Sequence, residues 1–268
     1  MFVGLKIGDA MGQLRAVARG LGLGRLRDGV RASAWWAAVP ARRLKDLDAG
    51  RTVPAKSVAL TFDDGPDPVV TPRLLELLEK HSAPATFFMC GLAAQRHSDI
   101  VRSVAAAGHT IGGHSWDHRL LRGLSPAEWR RQIDDTHSLL EDLAGARVRW
   151  FRPPRGNSDR RTRETLRRRG VATVYWSAAG RDWSLRDPES IARAVLDDMD
   201  PGAIVLLHDA IADYLSADGQ PTSQEPTLHA AELILRAARD QGLRPVQLDD
   251  LTSVALHSFS RPRMPGAT

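Results

Sequence analysis

The chain has 268 residues, of which 43% are hydrophobic and 26% are charged, a composition that excludes a disordered chain and supplies one sizeable core. Its single cysteine, Cys90, excludes an intramolecular disulfide, and no apolar run approaches the roughly 20 residues of a membrane helix. Residues 1–50 carry nine Lys and Arg against four Asp and Glu, while residues 51–268 carry 28 of each, so the net charge of +5 lies in the N-terminal part. We therefore expect no nucleic-acid binding by the main body.

The first predicted segment is a basic N-terminal arm and linker, residues 1–54. Ile7, Met11 and Leu14 fall at helical spacing with Arg15 on another side, which suits a basic amphipathic helix in peripheral contact with an anionic membrane. The alternative, a helix packed on the domain or a frayed extension, is favoured because three glycines near its end weaken a long helix. Charges interrupt the apolar stretch that a secretory signal needs, which favours the cytoplasm or the cytoplasmic membrane face.

Strands and helices then alternate through a predicted domain at 55–252, followed by a tail at 253–268. The predicted strands lie at 57–62, 85–89, 109–112, 149–151, 173–176, 203–207 and 243–247. The predicted helices lie at 72–80, 98–107, 126–143, 159–169, 188–199 and 225–241. Such alternation implies parallel pairing through right-handed crossovers. About seven units without an obvious switch point predict an α/β barrel rather than an open sheet.

Polar side chains follow five of these strands, at the point where each strand ends. In chain order they are Asp63 and Asp64, His114 and His118, Arg152 and Arg155, Asp182 with Trp183, and His208 and Asp209. In α/β barrels the active site forms at the carboxyl ends of the strands. The sequence therefore predicts one catalytic face.

A metal site is the first chemical expectation for this face. His114 and His118 have i, i+4 spacing, and on a helical turn both imidazoles would face one way. The pair alone does not separate a metal site from a surface coincidence. Two carboxylates crowded at one strand end, Asp63 and Asp64, repel unless a metal or a shared proton relieves them. Two imidazoles and one carboxylate leave coordination positions open, the pattern of a catalytic site, and the second carboxylate stays free as a base.

The five motifs, in order, resemble those of the polysaccharide deacetylase family. They read TFDDG at 61–65, HSWDH at 114–118, RPP at 152–154, RDW at 181–183 and LLHD at 206–209. This NodB homology domain, a carbohydrate esterase group that includes chitooligosaccharide and peptidoglycan N-acetylglucosamine deacetylases, would cover about residues 56 to 249. The resemblance implies a distorted (β/α) barrel of seven parallel strands. It also implies a zinc-dependent hydrolase, with cobalt or another divalent ion as the alternative, that removes an acetyl group from an N-acetylated sugar.

The resemblance assigns the metal and base roles residue by residue. Asp64, His114 and His118 would bind the metal. Asp63 would be the general base that accepts a proton from the attacking water. Arg152 would pair with Asp63 and keep it ionised and oriented.

The remaining roles concern the acyl group and the leaving amine. His208 would protonate the amine, and Asp182 would hold His208 protonated, because a nearby carboxylate raises the pKa of a histidine. The backbone N–H of Arg155 would stabilise the oxyanion, Trp183 would form an apolar wall, and Leu206 would line the acyl pocket. Purely structural roles for Trp183 and Leu206, and a surface pairing of Asp182 with its neighbouring arginine, remain as alternatives.

Two residues depart from the family pattern. Arg155 stands where the family usually has an aromatic residue, and Gly113 stands where it often has a polar one. The cation at 155 suggests an anionic or phosphate-bearing substrate such as a lipid-linked saccharide, since guanidinium groups pair well with such anions.

Other interpretations keep or change the chemistry of the site. An amidase, a deformylase or an O-acyl esterase acting on a glycosylated natural product or glycolipid would use the same metal site. A catalytically silent glycan-binding domain would not need the complete set of base, ligands and acid. An iron(II) oxygenase also uses two histidines and a carboxylate, but it is disfavoured because that class typically has an antiparallel double-sheet fold. The arginine-rich helix at 159–169 is expected to be a solvated face paired with neighbouring acids.

Overall fold

The computed structural model describes residues 56–212 and 224–252, in which parallel strands alternate with helices. The predicted arm at 1–54 and tail at 253–268 lie outside these residues, and so does the suggested membrane contact of the arm. Both remain predictions.

One parallel sheet organises the described part of the chain. Its strands are β1 Ser57–Asp63, β2 Ala85–Met89, β3 Thr110–Gly113, β4 Trp150–Phe151, β5 Ala172–Thr173, β6 Ala178–Ala179, β7 Ile204–His208 and β8 Arg244–Pro245. Neighbouring strands follow the order β5-β4-β3-β2-β1-β7-β6, and β8 pairs with the start of β1. Every pairing is parallel, as the alternation predicted.

The sheet curls into a half-barrel, which confirms the expected α/β fold of the distorted barrel type. Within residues 56–212 and 224–252 no ladder joins β5 to β6, so the sheet stays open there. The predicted strand at 173–176 was wrong in its bounds, because β5 ends at Thr173 and β6 follows as a separate strand. A two-residue strand has no periodicity to read, and Ala178 and Ala179 are recognised only by their pairing with Val205 and Leu206 of β7.

The helices cover the outer face of this sheet. They are α1 Val70–Lys80, α2 Gly91–Arg96, α3 Ser98–Ala106, α4 Pro126–Arg130, α5 Thr136–Ala144, α6 Arg160–Arg168, α7 Pro188–Leu196, α8 Glu225–Asp240 and α9 Leu248–Thr252. Side-chain caps begin several of them: Asp159 accepts from the N–H of Thr162 at α6, and Ser125 forms a capping box with Glu128 at α4. None of the helices in the described ranges is long and apolar enough to cross a bilayer.

The predicted continuous helix at 126–143 is interrupted. A π-helical turn, Arg131–Asp135, separates α4 from α5. Amphipathic spacing does not distinguish such a turn from regular helix, because one extra residue shifts the register without changing the composition.

Side chains alternate between the two faces of the sheet along each strand, and this alternation separates the apolar core from the site. Leu60 and Phe62 of β1 and Leu207 of β7 belong to the large core cluster beneath the helices. Thr61 and Asp63 point to the opposite, concave face. β1 is nevertheless buried along its whole length, as expected for a strand covered on both sides.

The packing of the core predicts that substitutions of two leucines differ clearly in their effect on the free energy of unfolding. Leu78 of α1 is fully buried in the large cluster, whereas Leu120 is 39% exposed. Leu78→Ala should lower the free energy of unfolding by about 2–5 kcal/mol, because it leaves a cavity in a packed core. Leu120→Ala should change it by no more than about 0.5 kcal/mol. Urea unfolding of both variants checks this, and equal effects would contradict the packing described here.

Candidate active site

The carboxyl ends of five strands bring the polar side chains to one concave face. Asp63 closes β1, His114 follows β3, Arg152 follows β4, Asp182 follows β6 and His208 closes β7. Because the strands are parallel, these ends lie at the same edge of the half-barrel. The structure therefore brings the polar side chains named in the sequence analysis to one face.

Asp64, His114 and His118 form a buried cluster. Asp64 Oδ1 lies 3.2 Å from His114 Nε2 and 3.4 Å from His118 Nε2. One ligand atom from each residue lies within 4.8 Å of the other two, so this cluster can hold a metal ion. Burial by itself raises the pKa of Asp64, but the surrounding imidazoles outweigh burial and hold that pKa well below its ordinary value.

The orientation of His114 suits a cation. Its Nδ1 lies 2.6 Å from the carbonyl oxygen of Arg152, which can only accept, so in the neutral ring Nδ1 carries the proton and Nε2 presents a lone pair. Asp64 Oδ1, toward which Nε2 points, is buried and has no hydrogen-bond partner among the described residues. Two acceptors that face each other in a buried site fit a metal ion between them.

The local backbone of this cluster differs from the prediction. His114–His118 was expected to be a helical turn, but it is an irregular loop in which Ser115 (φ 67°) and His118 (φ 58°) are left-handed. Asp64 is left-handed as well (φ 77°). Such conformations cost about 1–3 kcal/mol each in residues other than glycine and concentrate at functional sites. The two imidazoles converge through loop geometry, with ring centroids 5.0 Å apart.

Arg152 holds the second carboxylate. Its Nη1 donates to Asp63 Oδ1 and to Thr61 Oγ1, each at 2.7 Å, and its Nη2 donates to the Tyr175 carbonyl at 3.2 Å. Both Arg152 and Asp63 are buried, so water does not screen this pair. The other oxygen of Asp63, Oδ2, lies 3.8 Å from His114 Nε2 and so faces the cluster of Asp64, His114 and His118.

Aromatic rings enclose the Arg152 guanidinium. Its central carbon lies 4.2 Å from the centroid of the Phe88 ring and 5.7 Å from that of Trp176. Burial lowers the pKa of Arg152, and the Asp63 carboxylate opposes that shift. The ring faces stabilise a cation that has little contact with water.

His208 and Asp182 form the second charged pair of the site. Asp182 Oδ1 accepts from His208 Nδ1 at 2.8 Å, and Asp182 Oδ2 accepts from the His208 backbone N–H and the Thr227 hydroxyl, both at 2.8 Å. Asp182 is fully buried and therefore is not a surface ion-pair partner. Burial lowers the pKa of His208, but the carboxylates, chiefly Asp182, outweigh it and raise that pKa to about 9.

The three residues expected to contact substrate differ in their position and in what they contact. Trp183 meets His208 edge-on, with ring centroids 5.5 Å apart. Leu206 is buried in β7 opposite Thr61, on the concave side. Arg155 lies in a short 3₁₀ turn, Pro154–Gly156, with a left-handed backbone (φ 55°), and this turn packs so tightly on Trp176 that a Cβ at Gly156 would lie 2.9 Å from the ring.

One positioning residue was missed by the sequence analysis. Gln132, in the π-helical turn, is buried, and its Oε1 accepts from the backbone N–H groups of Trp116 at 2.9 Å and Asp117 at 3.4 Å. It thereby holds the loop that carries both histidines. A polar residue on the buried stripe of an amphipathic helix was the available signal.

Asp209, which the sequence analysis placed at the end of a strand without a role in the reaction, supports the loop after β1. Asp209 is buried, accepts a hydrogen bond from the Thr71 hydroxyl and packs so closely on Gly65 that a Cβ there would lie 2.2 Å from Asp209 Oδ2. Burial raises the pKa of Asp209 to about 7. The backbone N–H of Ala212 donates to Asp64 Oδ2 at 3.0 Å, which fixes the remaining oxygen of that carboxylate.

The fold and this site together define an α/β half-barrel protein with a buried carboxylate–imidazole cluster at the ends of its strands. The sequence profile described as "Polysaccharide deacetylase" matches residues 50–174. The chain is 36% identical over 205 residues to the chitooligosaccharide deacetylase of Sinorhizobium fredii, covering 74% of this chain and 95% of that protein. It is 37% identical over 198 residues to a peptidoglycan-N-acetylglucosamine deacetylase of Bacillus cereus, covering 73% and 88%.

The comparison with a solved structure indicates the same family as the two sequence relatives. The peptidoglycan deacetylase PdaC of Bacillus subtilis superposes with a TM-score of 0.65 at 31% identity, covering 74% of this chain and 90% of that chain. The chain belongs to the polysaccharide deacetylase family, and it is a hydrolase of that type. The resemblance drawn from the five motifs is confirmed.

The His208–Asp182 pair predicts a pH-dependent stability of the metal-free protein. The folded pKa of about 9 lies above the ordinary value of 6.5, so the stabilisation is complete below about pH 6.5 and is lost as the pH rises through about 9. The free energy of unfolding should fall over this interval by on the order of 3 kcal/mol from this group. Asp182→Asn should reduce that fall, because it removes the carboxylate that raises the pKa.

Urea unfolding in the presence of a chelator, at pH values of about 6, 7.5 and 9, measures this difference. Asp99→Asn, an exposed carboxylate in the first turn of α3, is the control and should follow the parent protein. If Asp182→Asn shows the same pH dependence as the parent, the pairing does not set the pKa of His208.

Proposed function

We propose that this chain is a metal-dependent deacetylase that removes the N-acetyl group from N-acetylglucosamine units of a glycan, oligosaccharide or lipid-linked saccharide. The observation that carries the proposal is the placement of Asp63 Oδ2, 3.8 Å from His114 Nε2 in the metal-binding cluster, while Arg152 holds the other oxygen. Relatives named as chitooligosaccharide and peptidoglycan deacetylases support the substrate class.

Asp64, His114 and His118 would hold a divalent ion, with zinc as the first expectation because two imidazoles and a carboxylate are ligands that it favours. When bound, the ion supplies Lewis acidity toward the acyl carbonyl and toward water. The protein fixes the histidine tautomer through the Arg152 carbonyl and the carboxylate through the Ala212 N–H.

Asp63 acts as the general base. Its Oδ1 is engaged by Arg152, which orients the carboxylate, and its Oδ2 faces the cluster and accepts the proton of the attacking water. Arg152 is thus a positioning residue, and Thr61 keeps its guanidinium in place.

His208 acts as the general acid. Asp182 occupies Nδ1, so the proton at Nε2 is the one available to the amine that leaves. A pKa raised to about 9 keeps His208 protonated near neutral pH, and an amide nitrogen leaves readily only when it is protonated. Thr227 keeps the Asp182 carboxylate in its bonded orientation.

The remaining roles concern the acyl group. The backbone N–H of Arg155 would stabilise the oxyanion, Leu206 would line the pocket for the acyl methyl, and Trp183 would close one wall beside His208. The burial of Leu206 on the concave side and the edge contact of Trp183 with His208 support these assignments.

Acetate release tests the proposal. The panel comprises chitin oligomers, peptidoglycan fragments and a lipid-linked N-acetyl sugar, each with added zinc or cobalt and each with a chelator. We expect release that a chelator abolishes, and Asp63→Asn should lower kcat by roughly 10²–10⁴-fold because the base is lost. Asp99→Asn is the matched control and should retain full activity.

Release from none of these substrates would overturn the proposal. Release confined to O-acetylated substrates would assign the site to an O-acyl esterase. Release of another acyl group from a glycolipid or glycosylated natural product would favour the amidase or deformylase alternative.

Arg155 tests the preference for an anionic substrate. Its guanidinium pairs with phosphate or carboxylate groups, so Arg155→Ala should raise KM for a charged N-acetyl saccharide by about tenfold and leave the neutral counterpart nearly unchanged. Steady-state kinetics on the two substrates measures this split. Equal losses on both would show that the side chain does not select the charge.

A further inference from the structure

The outer face of α6 carries a concentration of positive charge. Residues 147–169 contain ten arginines and only two acids, Asp159 and Glu164, whereas residues 51–268 as a whole carry equal numbers of both charges. Only Thr162 and Leu166 of α6 are buried. The helix therefore uses two side chains for packing and presents the rest to solvent.

Neighbouring acids neutralise only part of this face. Glu164 lies 2.9 Å from Arg160 and 3.8 Å from Arg168, so a single carboxylate serves two cations. Arg169 pairs with Asp134 of the π-helical turn. The pairing expected from the sequence is thus present for these three arginines.

Three arginines of α6 lack such a partner. Within residues 56–212 and 224–252, no carboxylate lies within ion-pair distance of Arg161, Arg163 or Arg167, and all three side chains are exposed. Arg163 instead donates to the carbonyl oxygen and the hydroxyl of Ser158. Like charges on one helix repel, and a bound anion would relieve that repulsion.

A groove of about 370 Å³ runs beside the helix, between α6 and α4. Arg161 and Arg169 line it from one side and Arg130 from the other, together with the Thr165 hydroxyl. Asp134 and Asp159 also line the groove, but the first pairs with Arg169 and the second caps α6. Its rim is therefore cationic, and guanidinium groups bind carboxylate and phosphate well.

The groove does not suit the stacking of bases or insertion into a membrane. Trp129 packs against a small core cluster, and the Arg169 guanidinium covers its ring at 4.7 Å. Single-stranded nucleic acids need accessible aromatic faces on which bases stack. A membrane-binding helix needs an exposed apolar face, and α6 exposes charged side chains instead.

The chain connects this face directly to the candidate active site. Arg155 lies in the turn that follows β4, and α6 begins five residues later at Arg160. A polymer with one unit at the catalytic face would reach the start of α6 first if it continued toward the basic surface. Each anionic unit would then meet another arginine.

We propose that the outer face of α6 is a binding surface for the anionic groups of a glycan polymer, which extends the substrate beyond the reacting unit. The identity of this polymer as substrate rests on the proposed deacetylase function, but the binding itself does not. Carboxylate and phosphate share the required chemistry, and the experiment separates them.

Direct binding is the first measurement. The probes are a fluorescein-labelled hyaluronan oligosaccharide, a phosphorylated chitooligosaccharide and a neutral chitooligosaccharide of equal length. Arg161→Gln/Arg167→Gln removes two of the three cations that have no carboxylate partner and leaves Arg163, which is held by Ser158. Arg96→Gln/Arg193→Gln removes two exposed cations from α2 and α7 and is the matched control.

The Kd for at least one anionic probe should rise about fivefold in the α6 variant and stay unchanged in the control. In the parent protein, anionic binding should weaken between about 50 and 200 mM salt, while neutral binding should not.

Unfolding curves of both variants verify folding, and Arg161→Glu/Arg167→Glu should enlarge the effect. Equal Kd values for parent and α6 variant, or tighter binding of duplex DNA than of either anionic glycan, would overturn the proposal.

Turnover of the neutral chitooligosaccharide separates this inference from the proposed function. If the α6 variant turns over the neutral chitooligosaccharide as fast as the parent but binds the anionic probes more weakly, both the binding surface and the deacetylase function are supported. Absence of turnover in the parent protein, with the anionic binding intact, would overturn the deacetylase proposal alone.

Discussion

The buried cation of Arg152 is the interaction on which the rest of the site depends. Its guanidinium fixes Asp63, and its own backbone carbonyl fixes the tautomer of His114, so one residue orients both the proposed base and the metal-binding cluster. A buried charge is costly unless it is paired and hydrogen-bonded, and here Asp63, Thr61 and two aromatic rings compensate for the lost water. Removing either partner would leave an uncompensated charge in the half-barrel.

Parallel strands make this concentration of charge feasible. They expose their carboxyl ends at one edge, where loops can adopt conformations that a strand or helix cannot. The left-handed backbones of Asp64 and His118 are examples, and Gln132 and Asp209 show that neighbouring elements are used to hold them. The stability that the apolar face of the sheet contributes offsets the strain that its concave face stores.

The sequence predicted which residues lie together in the candidate site, but it did not predict the local backbone conformation that brings them together. Asp64, His114 and His118 were predicted as a cluster, and the structure brings them together, but through a loop rather than the expected helical turn. Gln132 was not recognised because a π-helical turn has no distinct amphipathic pattern, and β6 was not recognised because two alanines carry no strand signal. For Gln132 and for β6, the missing information is a contact with residues distant in the chain, which local periodicity does not contain.

By itself, the sequence determined the fold class, the family and the strand ends at which polar side chains gather. Alternating apolar patterns and five ordered motifs are local properties, and these three conclusions depend on them. Only the tertiary structure decided which atoms meet. It showed that Asp182 is buried on His208 rather than paired at the surface, that the half-barrel stays open between β5 and β6 in the described chain, and that α6 retains unpaired cations. These outcomes depend on burial and on distances between residues far apart in the chain, and those are decided when the helices pack against the sheet.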